Sequence, residues 1–333
     1  MTPKLASLVV VVPAYNAKRF LGRAVESIFA TGYPGIEVVI VDDGSADGTA
    51  SIAAQLCQRW DVKCRWVRHA DGRNHGVSAS RNLGIASSDS EWLAFLDADD
   101  FFLPNRFDAF IRRQQADAAF DGLYETCEVR GDADGIEPAP GTGRSRFGID
   151  VDVCGAALLR ELLNGTCWAT SAITLRRSLL ERTGLFDPGK AIAEDCDLWF
   201  RIAAAGQVVS GSLEQPVSVY WRHADNTYTY RPEHRIAMVR AMLDAWHWAL
   251  LHQVDGDRLA AFEDSVPAYV ERSIIAMREA GHPDIARALL RMMANARKWR
   301  FLLSTKTLRQ VTGLLRDGVS RTRPANPVKG RRA

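Results

Sequence analysis

Residues 91–100 read E-W-L-A-F-L-D-A-D-D, an apolar run that ends in three carboxylates within four residues. Because Trp92–Leu96 is apolar without alternation, the run is typical of a strand buried on both faces. The carboxylates of Asp97, Asp99 and Asp100 then follow the carboxyl end of that strand, where open α/β sheets bind ligands. Like charges this close repel, and a hard cation that bridges carboxylate and phosphate oxygens relieves the repulsion. The stretch therefore predicts a cation site, with an acidic surface loop as the alternative.

Two earlier segments also place polar residues directly after an apolar strand. Leu8–Val12 is followed by P-A-Y-N, and Ile36–Val41 is followed by two aspartates. Helical apolar spacing is expected over residues 20–29, 52–60 and 77–86, and a third strand over 63–68. Strands that alternate with helices indicate an α/β fold with a mostly parallel central sheet flanked by helices. Because parallel strands end at one edge, their polar residues are predicted to converge on one crevice.

The chain lacks the glycine motifs that hold phosphate in two large nucleotide-binding classes. No G-x-G-x-x-G follows the first strand, and no G-x-x-x-x-G-K-[ST] occurs anywhere. These absences argue against a dinucleotide-dependent oxidoreductase and against a P-loop enzyme. A nucleotide bound here would need a cation for its phosphates, which the acidic cluster could hold.

The composition is that of an ordinary soluble protein, but the charge is unevenly distributed. The chain has 333 residues and a net charge of +2. Residues 231–333 hold nearly half of the basic residues and a quarter of the acidic ones, which suggests a surface-binding C-terminal part. The six cysteines form no C-x-x-C pair and are interpreted as small buried residues in a reducing compartment. With neither a signal peptide nor a membrane-length apolar stretch, the sequence predicts a cytoplasmic protein.

Six stretches resemble, in order and spacing, the motifs of family 2 glycosyltransferases, which have the GT-A fold. They are V-V-P-A-Y-N (11–16), V-D-D-G-S-A-D-G-T (41–49), N-H-G-V-S-A-S-R-N-L-G (74–84), F-L-D-A-D-D (95–100), G-L-F-D (184–187) and E-D-C-D-L-W-F-R (194–201). The resemblance covers about residues 5–225 and implies a GT-A catalytic domain over 1–230. Its nucleotide-binding half would span about 1–100, and its acceptor half about 101–230.

The resemblance implies a role for each residue that matches a nucleotide-binding motif. Tyr15 would stack on or flank the nucleotide base, Pro13 would belong to the same nucleotide-binding site, and Asp43 would accept hydrogen bonds from the base or the ribose. Arg81 would help to hold the nucleotide site together.

The same resemblance identifies Asp97 and Asp99 as the D-x-D element. Asp97 would contact the ribose, and Asp99 would bind a Mg²⁺ or Mn²⁺ ion that bridges the donor diphosphate. Cleavage of a sugar–diphosphate bond builds negative charge on the leaving group, which a divalent cation stabilises. His223 falls where relatives often carry a histidine near the metal, although a lone histidine is usually not a ligand.

Asp195 would be the catalytic base of an inverting reaction. An acceptor hydroxyl is a weak nucleophile unless a carboxylate takes its proton during attack. Asp195 begins an apolar helical pattern, and a helix N-terminus favours the ionised carboxylate that a base requires. The alternative is that Glu194 and Asp195 serve only the first turn of that helix. Trp168 likewise either lines the acceptor sugar or fills the core.

Beyond residue 231 the sequence predicts helices and no further strand. Helical apolar spacing recurs near residues 232–252, 258–280, 283–299 and 304–318. We expect a helical region over 231–320 and a basic, disordered tail over 321–333. The last helix mixes Trp299 and leucines with Lys and Arg, so it either lies on an anionic membrane face or packs on the catalytic domain. Nucleic acid is not expected as a partner, because no reader motif accompanies the charge.

These features predict an inverting, metal-dependent glycosyltransferase that moves one sugar from a nucleoside-diphosphate sugar to a hydroxyl of a glycan acceptor. The resemblance favours a UDP-sugar and a lipid-linked acceptor at the inner membrane face, in bacterial exopolysaccharide or O-antigen assembly. The Q-x-x-R-W motif of processive synthases is absent, so single additions are expected. Two alternatives remain. A sugar-nucleotide pyrophosphorylase should carry a G-x-G-[ST]-R-L loop after the first strand, and an idle GT-A binding module should have lost Asp99 or Asp195.

Overall fold

The computed structural model describes residues 5–131, 146–223 and 231–296. Two β-sheets lie within these residues, one of seven strands and one of four. The strands are β1 (Leu8–Ala14), β2 (Ile36–Asp42), β3 (Cys64–Arg68), β4 (Trp92–Phe95), β5 (Phe101–Phe102), β6 (Gly122–Tyr124), β7 (Cys127–Gly131), β8 (Arg146–Phe147), β9 (Ile173–Arg176), β10 (Val208–Ser210) and β11 (Ser218–Arg222).

The larger sheet has the strand order β10-β6-β9-β4-β1-β2-β3. Neighbouring strands are parallel except beside β9, which runs antiparallel to β4 and β6. The three strands predicted from unbroken apolar runs lie side by side as β2, β1 and β4. Their carboxyl ends therefore share one edge, and the predicted α/β fold with a mostly parallel sheet is confirmed.

Apolar clusters cover both faces of this sheet, which explains why its central strands do not alternate between polar and apolar residues. All seven residues of β1 are buried. Val9 and Val11 belong to one apolar cluster, whereas Val10 and Val12 belong to another on the opposite face. Apolar side chains of the helices that pack on the two faces complete these clusters.

The helices predicted over residues 20–29, 52–60 and 77–86, and those predicted beyond residue 231, agree with the structure to within a few residues as far as residue 296. Three helices between residues 108 and 183 were not predicted. The helices are α1 (Leu21–Ala30), α2 (Thr49–Trp60), α3 (Val77–Ala86), α4 (Asp108–Gln115), α5 (Gly155–Leu163), α6 (Arg177–Thr183), α7 (Glu194–Ala205), α8 (His234–Leu251), α9 (Gly256–Glu279) and α10 (Pro283–Ala296). The helix α2 begins before its apolar spacing does, because Gly48 turns the chain at φ +96° directly ahead of Thr49. The strand β3 begins one residue late, because Asp61–Lys63 forms a short 3-10 helix.

The smaller sheet, of order β5-β11-β7-β8, was not predicted from the sequence. Its strands contain only two to five residues each, too few for a clear period-two pattern. The strand β5 begins directly after Asp100, and β11 ends one residue before His223. This sheet therefore connects the D-x-D turn with the segment that carries the histidine.

The C-terminal helices α8, α9 and α10 confirm the predicted helical region as far as residue 296. They share one apolar cluster with α5 and α7 of the catalytic part. The predicted helix over 304–318 and the basic tail lie outside the described residues, so the membrane-contact hypothesis stays a prediction. Every helix in the described ranges is too short or too polar to cross a bilayer.

One expectation about the cysteines is wrong. Cys154 is exposed, because it occupies the N-cap position of α5, at the surface. Cys64, Cys127 and Cys196 are buried as predicted, and all six thiols are free.

Candidate active site

The candidate site lies at the edge where β1, β2 and β4 end. Tyr15 follows β1, Asp43 follows β2, and Asp97–Asp100 follows β4. Tyr15 is 55% exposed, so its ring is free to stack on a planar ligand. Pro13 is buried within β1 and shapes the strand end instead of offering a contact surface.

Asp43 organises the loop that follows β3. Its carboxylate oxygens accept hydrogen bonds from the backbone N–H groups of His75 (2.8 Å) and Gly76 (2.9 Å). The imidazole Nε2 of His69 lies 3.5 Å from the same carboxylate. Asp43 therefore holds the backbone of this loop in place, in addition to the ligand contact that the resemblance implies.

Asp99 and His223 form the pair best suited to hold a divalent cation. Asp99 Oδ2 lies 3.2 Å from His223 Nε2, although 124 residues separate them in sequence. Burial, together with the charge of Asp97, raises the pKa of Asp99 above its usual range. A bound cation would stabilise the ionised form of the Asp99 carboxylate, and carboxylate oxygens are ligands that Mn²⁺ and Mg²⁺ prefer.

No three His, Cys, Asp or Glu side chains in the described ranges are grouped to hold a metal. An ion at Asp99 and His223 would therefore take its other ligands from a bound diphosphate and water, as Mg²⁺ often does. The pair fits a cation that arrives with its substrate.

Arg81 connects the D-x-D turn to the start of α7. Its guanidinium donates hydrogen bonds to Asp97 Oδ1 (2.8 Å) and Glu194 Oε1 (3.2 Å). Burial alone would lower the pKa of Arg81, but the charges of Asp97 and Glu194 outweigh burial and raise it. The side chain reaches this position because α3 packs closely on β1 at Gly84, where a Cβ would lie 2.3 Å from Val11 Cγ1.

Glu194 and Asp195 open α7, as the sequence predicts. The preceding residue, Ala193, adopts a left-handed conformation (φ +60°) that is uncommon for alanine and turns the chain into the helix. Asp195 Oδ1 accepts a hydrogen bond from the N–H of Cys196 (2.7 Å). Burial, together with the charge of Asp195, raises the pKa of Glu194 to about 7, and Arg81 opposes that rise.

The structure thus brings together most of the predicted site residues and resolves one open alternative. Arg81 contacts Asp97, and Asp99 contacts His223. Asp195 joins this group through its neighbour Glu194, which accepts a hydrogen bond from Arg81. By contrast, Trp168 is fully buried and its ring stacks on Tyr124, so it fills the core.

Three residues contact this group in ways that sequence reasoning did not assign. Glu194 pairs with Arg81, Asp100 accepts the N–H of Trp221 (2.8 Å), and Arg23 donates to the carbonyl oxygen of Asp99 (2.9 Å). Asp100 had a visible signal as the third carboxylate of its cluster, and Glu194 as the first residue of the E-D-C-D-L-W-F-R motif. Arg23 occupies an ordinary helical position, and nothing in its local sequence marks it.

Comparison with known proteins identifies the domain. Residues 9–136 match the family described as Glycosyl transferase family 2. The chain contains a family 2 glycosyltransferase domain. An uncharacterized glycosyltransferase of Nostoc sp. is 28% identical over 221 residues, which is 66% of this chain and 66% of that protein. The succinoglycan biosynthesis protein ExoO of Rhizobium meliloti is 40% identical over 116 residues, which is 35% of this chain and 31% of ExoO.

The fold of this chain is similar to that of solved GT-A glycosyltransferases, and the similarity extends beyond residues 9–136. A fragment of S. aureus TarS, residues 1–349, has a TM-score of 0.57 at 17% identity, and the match covers 85% of this chain and 90% of that fragment. A mannosyltransferase of Pyrobaculum calidifontis has a TM-score of 0.51 at 18% identity, covering 96% of this chain and 88% of its own. The matches span from 18% to 66% of the length of the first curated relatives.

Proposed function

We propose that this family 2 protein transfers a single sugar from a nucleoside-diphosphate sugar to a hydroxyl of a glycan acceptor, with inversion at the anomeric carbon. The observation that carries the proposal is the Arg81 bridge. Through it, Asp97 of the D-x-D turn and Glu194, next to Asp195, meet at one site. Donor-binding and proton-accepting groups must be this close for attack on a bound donor.

Structures of related fold support a UDP-sugar donor with Mn²⁺ or Mg²⁺. TarS has been solved in complex with UDP and with UDP-GlcNAc, and the Pyrobaculum mannosyltransferase with GDP-Man and Mn²⁺. In this chain Tyr15, beside Pro13, would stack on the base, Asp43 would bind the base or ribose, and Asp97 the ribose. Asp99 and His223 would hold the cation, which when bound stabilises negative charge on the departing diphosphate.

The residues of this chain would act on the acceptor as follows. Asp195 accepts the proton of the acceptor hydroxyl while that oxygen bonds to the anomeric carbon and the bond to the diphosphate breaks. Attack occurs opposite the leaving group, so the configuration inverts. Arg81 keeps the donor-binding turn and the base at a fixed separation, because it donates to both segments at once.

The similarity to ExoO supports a role in the assembly of a bacterial surface or exopolysaccharide. Such acceptors grow on lipid carriers, and we place the enzyme at the inner face of the membrane, in the cytoplasm. The basic C-terminal part is the segment proposed to contact anionic lipid.

The first experiment is a screen of common nucleotide sugars, with and without Mn²⁺, that measures release of the nucleoside diphosphate. Metal-dependent release from one or a few donors would support the proposal. Consumption of pyrophosphate instead would indicate a pyrophosphorylase, and binding without turnover would indicate an idle module.

Two variants separate the proposed roles. Asp99→Ala should abolish Mn²⁺-dependent UDP binding in calorimetry. Asp195→Asn should bind UDP and Mn²⁺ normally but lose about 10²–10⁴-fold in kcat, because only the base is removed. As a control, Asp257→Asn removes an acidic residue from the first turn of α9, outside the site, and should change neither quantity. Normal turnover by Asp195→Asn would leave that residue with a helix-capping role alone.

A further inference from the structure

The end of β11 is attached to the D-x-D turn by a side chain. The strand pairs with β5 only at Ser218 and Val219, because β5 has two residues. Two residues further on, the N–H of Trp221 donates to Asp100 Oδ1 (2.8 Å) instead of to a strand partner. Asp100 is buried, so water does not compete for this bond. Its carboxylate therefore continues the pairing where β5 ends.

Arg23 of α1 joins the same two segments from the other side. Its guanidinium carbon lies 4.5 Å from the ring centroid of Phe101 and 4.4 Å from that of Trp221. The same group donates a hydrogen bond to the carbonyl oxygen of Asp99 (2.9 Å). A planar guanidinium can stack on aromatic rings and donate in its plane at once, which an ammonium cannot.

His223 follows Trp221 by two residues and depends on where β11 ends. Its Nε2 lies 3.2 Å from Asp99 Oδ2, and its ring lies 4.3 Å from that of Phe20. The His223 side chain is 5% exposed, so its position is set by packing. The contacts that tie β11 to the turn therefore help to set the distance between the two proposed cation ligands, together with the pairing of β11 with β7, which continues to Arg222.

We propose that Asp100 and Arg23 are positioning residues that hold His223 against Asp99 and thereby set the affinity of this pair for a divalent cation. The inference rests on the proposed function, which makes the pair a metal site. Groups that orient metal ligands typically change metal affinity by 10–100-fold when they are removed. The pairing of β11 with β5 ends at Val219, four residues before the histidine.

The test compares two substitutions of Asp100 by Mn²⁺ electron paramagnetic resonance, with Mn²⁺ alone and with Mn²⁺ plus UDP. Asp100→Ala removes the acceptor for Trp221 and should weaken Mn²⁺ binding by about tenfold. Asp100→Asn keeps a carbonyl oxygen in the same place to accept from Trp221. Its Mn²⁺ affinity should therefore stay within about twofold of the wild type, in contrast to the tenfold loss in Asp100→Ala. Equal weakening by both substitutions would mean that charge, not position, is what Asp100 supplies, and would overturn the inference.

A double-mutant cycle shows whether Asp100 acts through the histidine. In a His223→Ala background, Asp100→Ala should cause no further loss of Mn²⁺ affinity, because the ligand it positions is gone. Additive losses would contradict the inference. Tyr33→Phe is the matched control: it removes a buried hydroxyl that donates to Ala6, at the opposite edge of the sheet, and should leave Mn²⁺ affinity unchanged.

Arg23→Lys provides a second route should Asp100→Ala fail to fold. It keeps the charge but loses the planar stack, and should weaken Mn²⁺ binding several-fold. If the wild type binds Mn²⁺ and a folded Arg23→Lys or Asp100→Ala protein binds it with the same affinity, the inference is refuted, whereas the proposed metal site stands. Absence of Mn²⁺ binding by the wild type, with and without UDP, would refute the metal site and this inference together.

Discussion

Glu194 shows how a residue beside the proposed base acquires an unusual property from its surroundings. It is paired with Arg81, lies next to Asp195 and is largely removed from water. Burial, together with the charge of Asp195, raises its pKa to about 7 from the ordinary 4.5. Its charge therefore changes with pH near neutrality, and the net charge around Arg81 changes with it.

The raised pKa predicts a pH-dependent contribution to stability. Because the folded protein holds this proton more tightly than the unfolded chain, the contribution is fully present below pH 4.5 and is lost as pH rises to about 7. Glu194→Gln cannot titrate. Relative to the wild type, its free energy of unfolding should therefore rise by on the order of 2 kcal/mol between pH 4.5 and 8. Urea denaturation of both proteins across this range measures the difference, and parallel profiles would contradict the assignment.

Among the secondary-structure elements, a buried ion pair joins segments around β6, β9 and β10. Arg106, just ahead of α4, donates to Glu125 Oε2 (2.7 Å) and to the carbonyl oxygens of Ser171 (2.9 Å) and Ile173 (2.8 Å). Glu125, directly after β6, also accepts the N–H of Ser212 (3.1 Å). Both side chains are fully buried. One ion pair thus connects β6, the start of β9 and the loop after β10.

Removing one partner of this pair should be costly. Glu125→Ala leaves the Arg106 charge buried without compensation, and should lower the free energy of unfolding by about 3–5 kcal/mol. Glu26→Ala is the matched control, because it breaks the exposed ion pair of Glu26 with Arg59. Exposed pairs contribute less than about 1 kcal/mol. Urea denaturation measures the free energy of unfolding of both variants. Similar losses would show that the buried pair stabilises the fold no more than an exposed pair does.

For the whole molecule, the helices α8 to α10 are part of the same core as the family 2 domain. Arg258 of α9 donates to the carbonyl oxygens of Ala203 (3.2 Å) and Gly206 (3.1 Å), at the end of α7. Lys190, just before α7, forms ion pairs with Asp197 of α7 and Asp244 of α8. The C-terminal helices therefore hold in place the helix that carries Asp195.

A truncation tests this dependence. A chain ending at residue 230 would expose the apolar faces of α5 and α7 that α8 and α9 now cover, and we expect it to aggregate. A chain ending at residue 296 keeps those helices and should remain soluble. The soluble fraction on expression and the fluorescence of a dye that binds exposed apolar surface measure the contrast. A soluble, compact chain of 230 residues would show that the catalytic part folds alone.

The sequence by itself determined the half of the fold whose signal is local. Unbroken apolar runs marked β1, β2 and β4, because strands covered on both faces need apolar residues at every position. Since parallel strands end at one edge, the polar residues after them had to meet there, and Asp43, Asp97 and Asp99 were found in this way. The motifs of the family gave Arg81 and Asp195 their proposed roles.

Only the tertiary structure decided which of these residues touch. The contacts of Arg81 with Glu194, of Asp99 with His223 and of Asp100 with Trp221 span 113, 124 and 121 residues. A hydrogen bond between such distant positions leaves no periodic trace in either segment, and two-residue strands such as β5 leave none either. Burial separates a core tryptophan from one that lines a site, and burial follows from how the helices pack on the sheet. The chemistry of each strand end was therefore readable in the chain, whereas the partners that orient it were fixed only by folding.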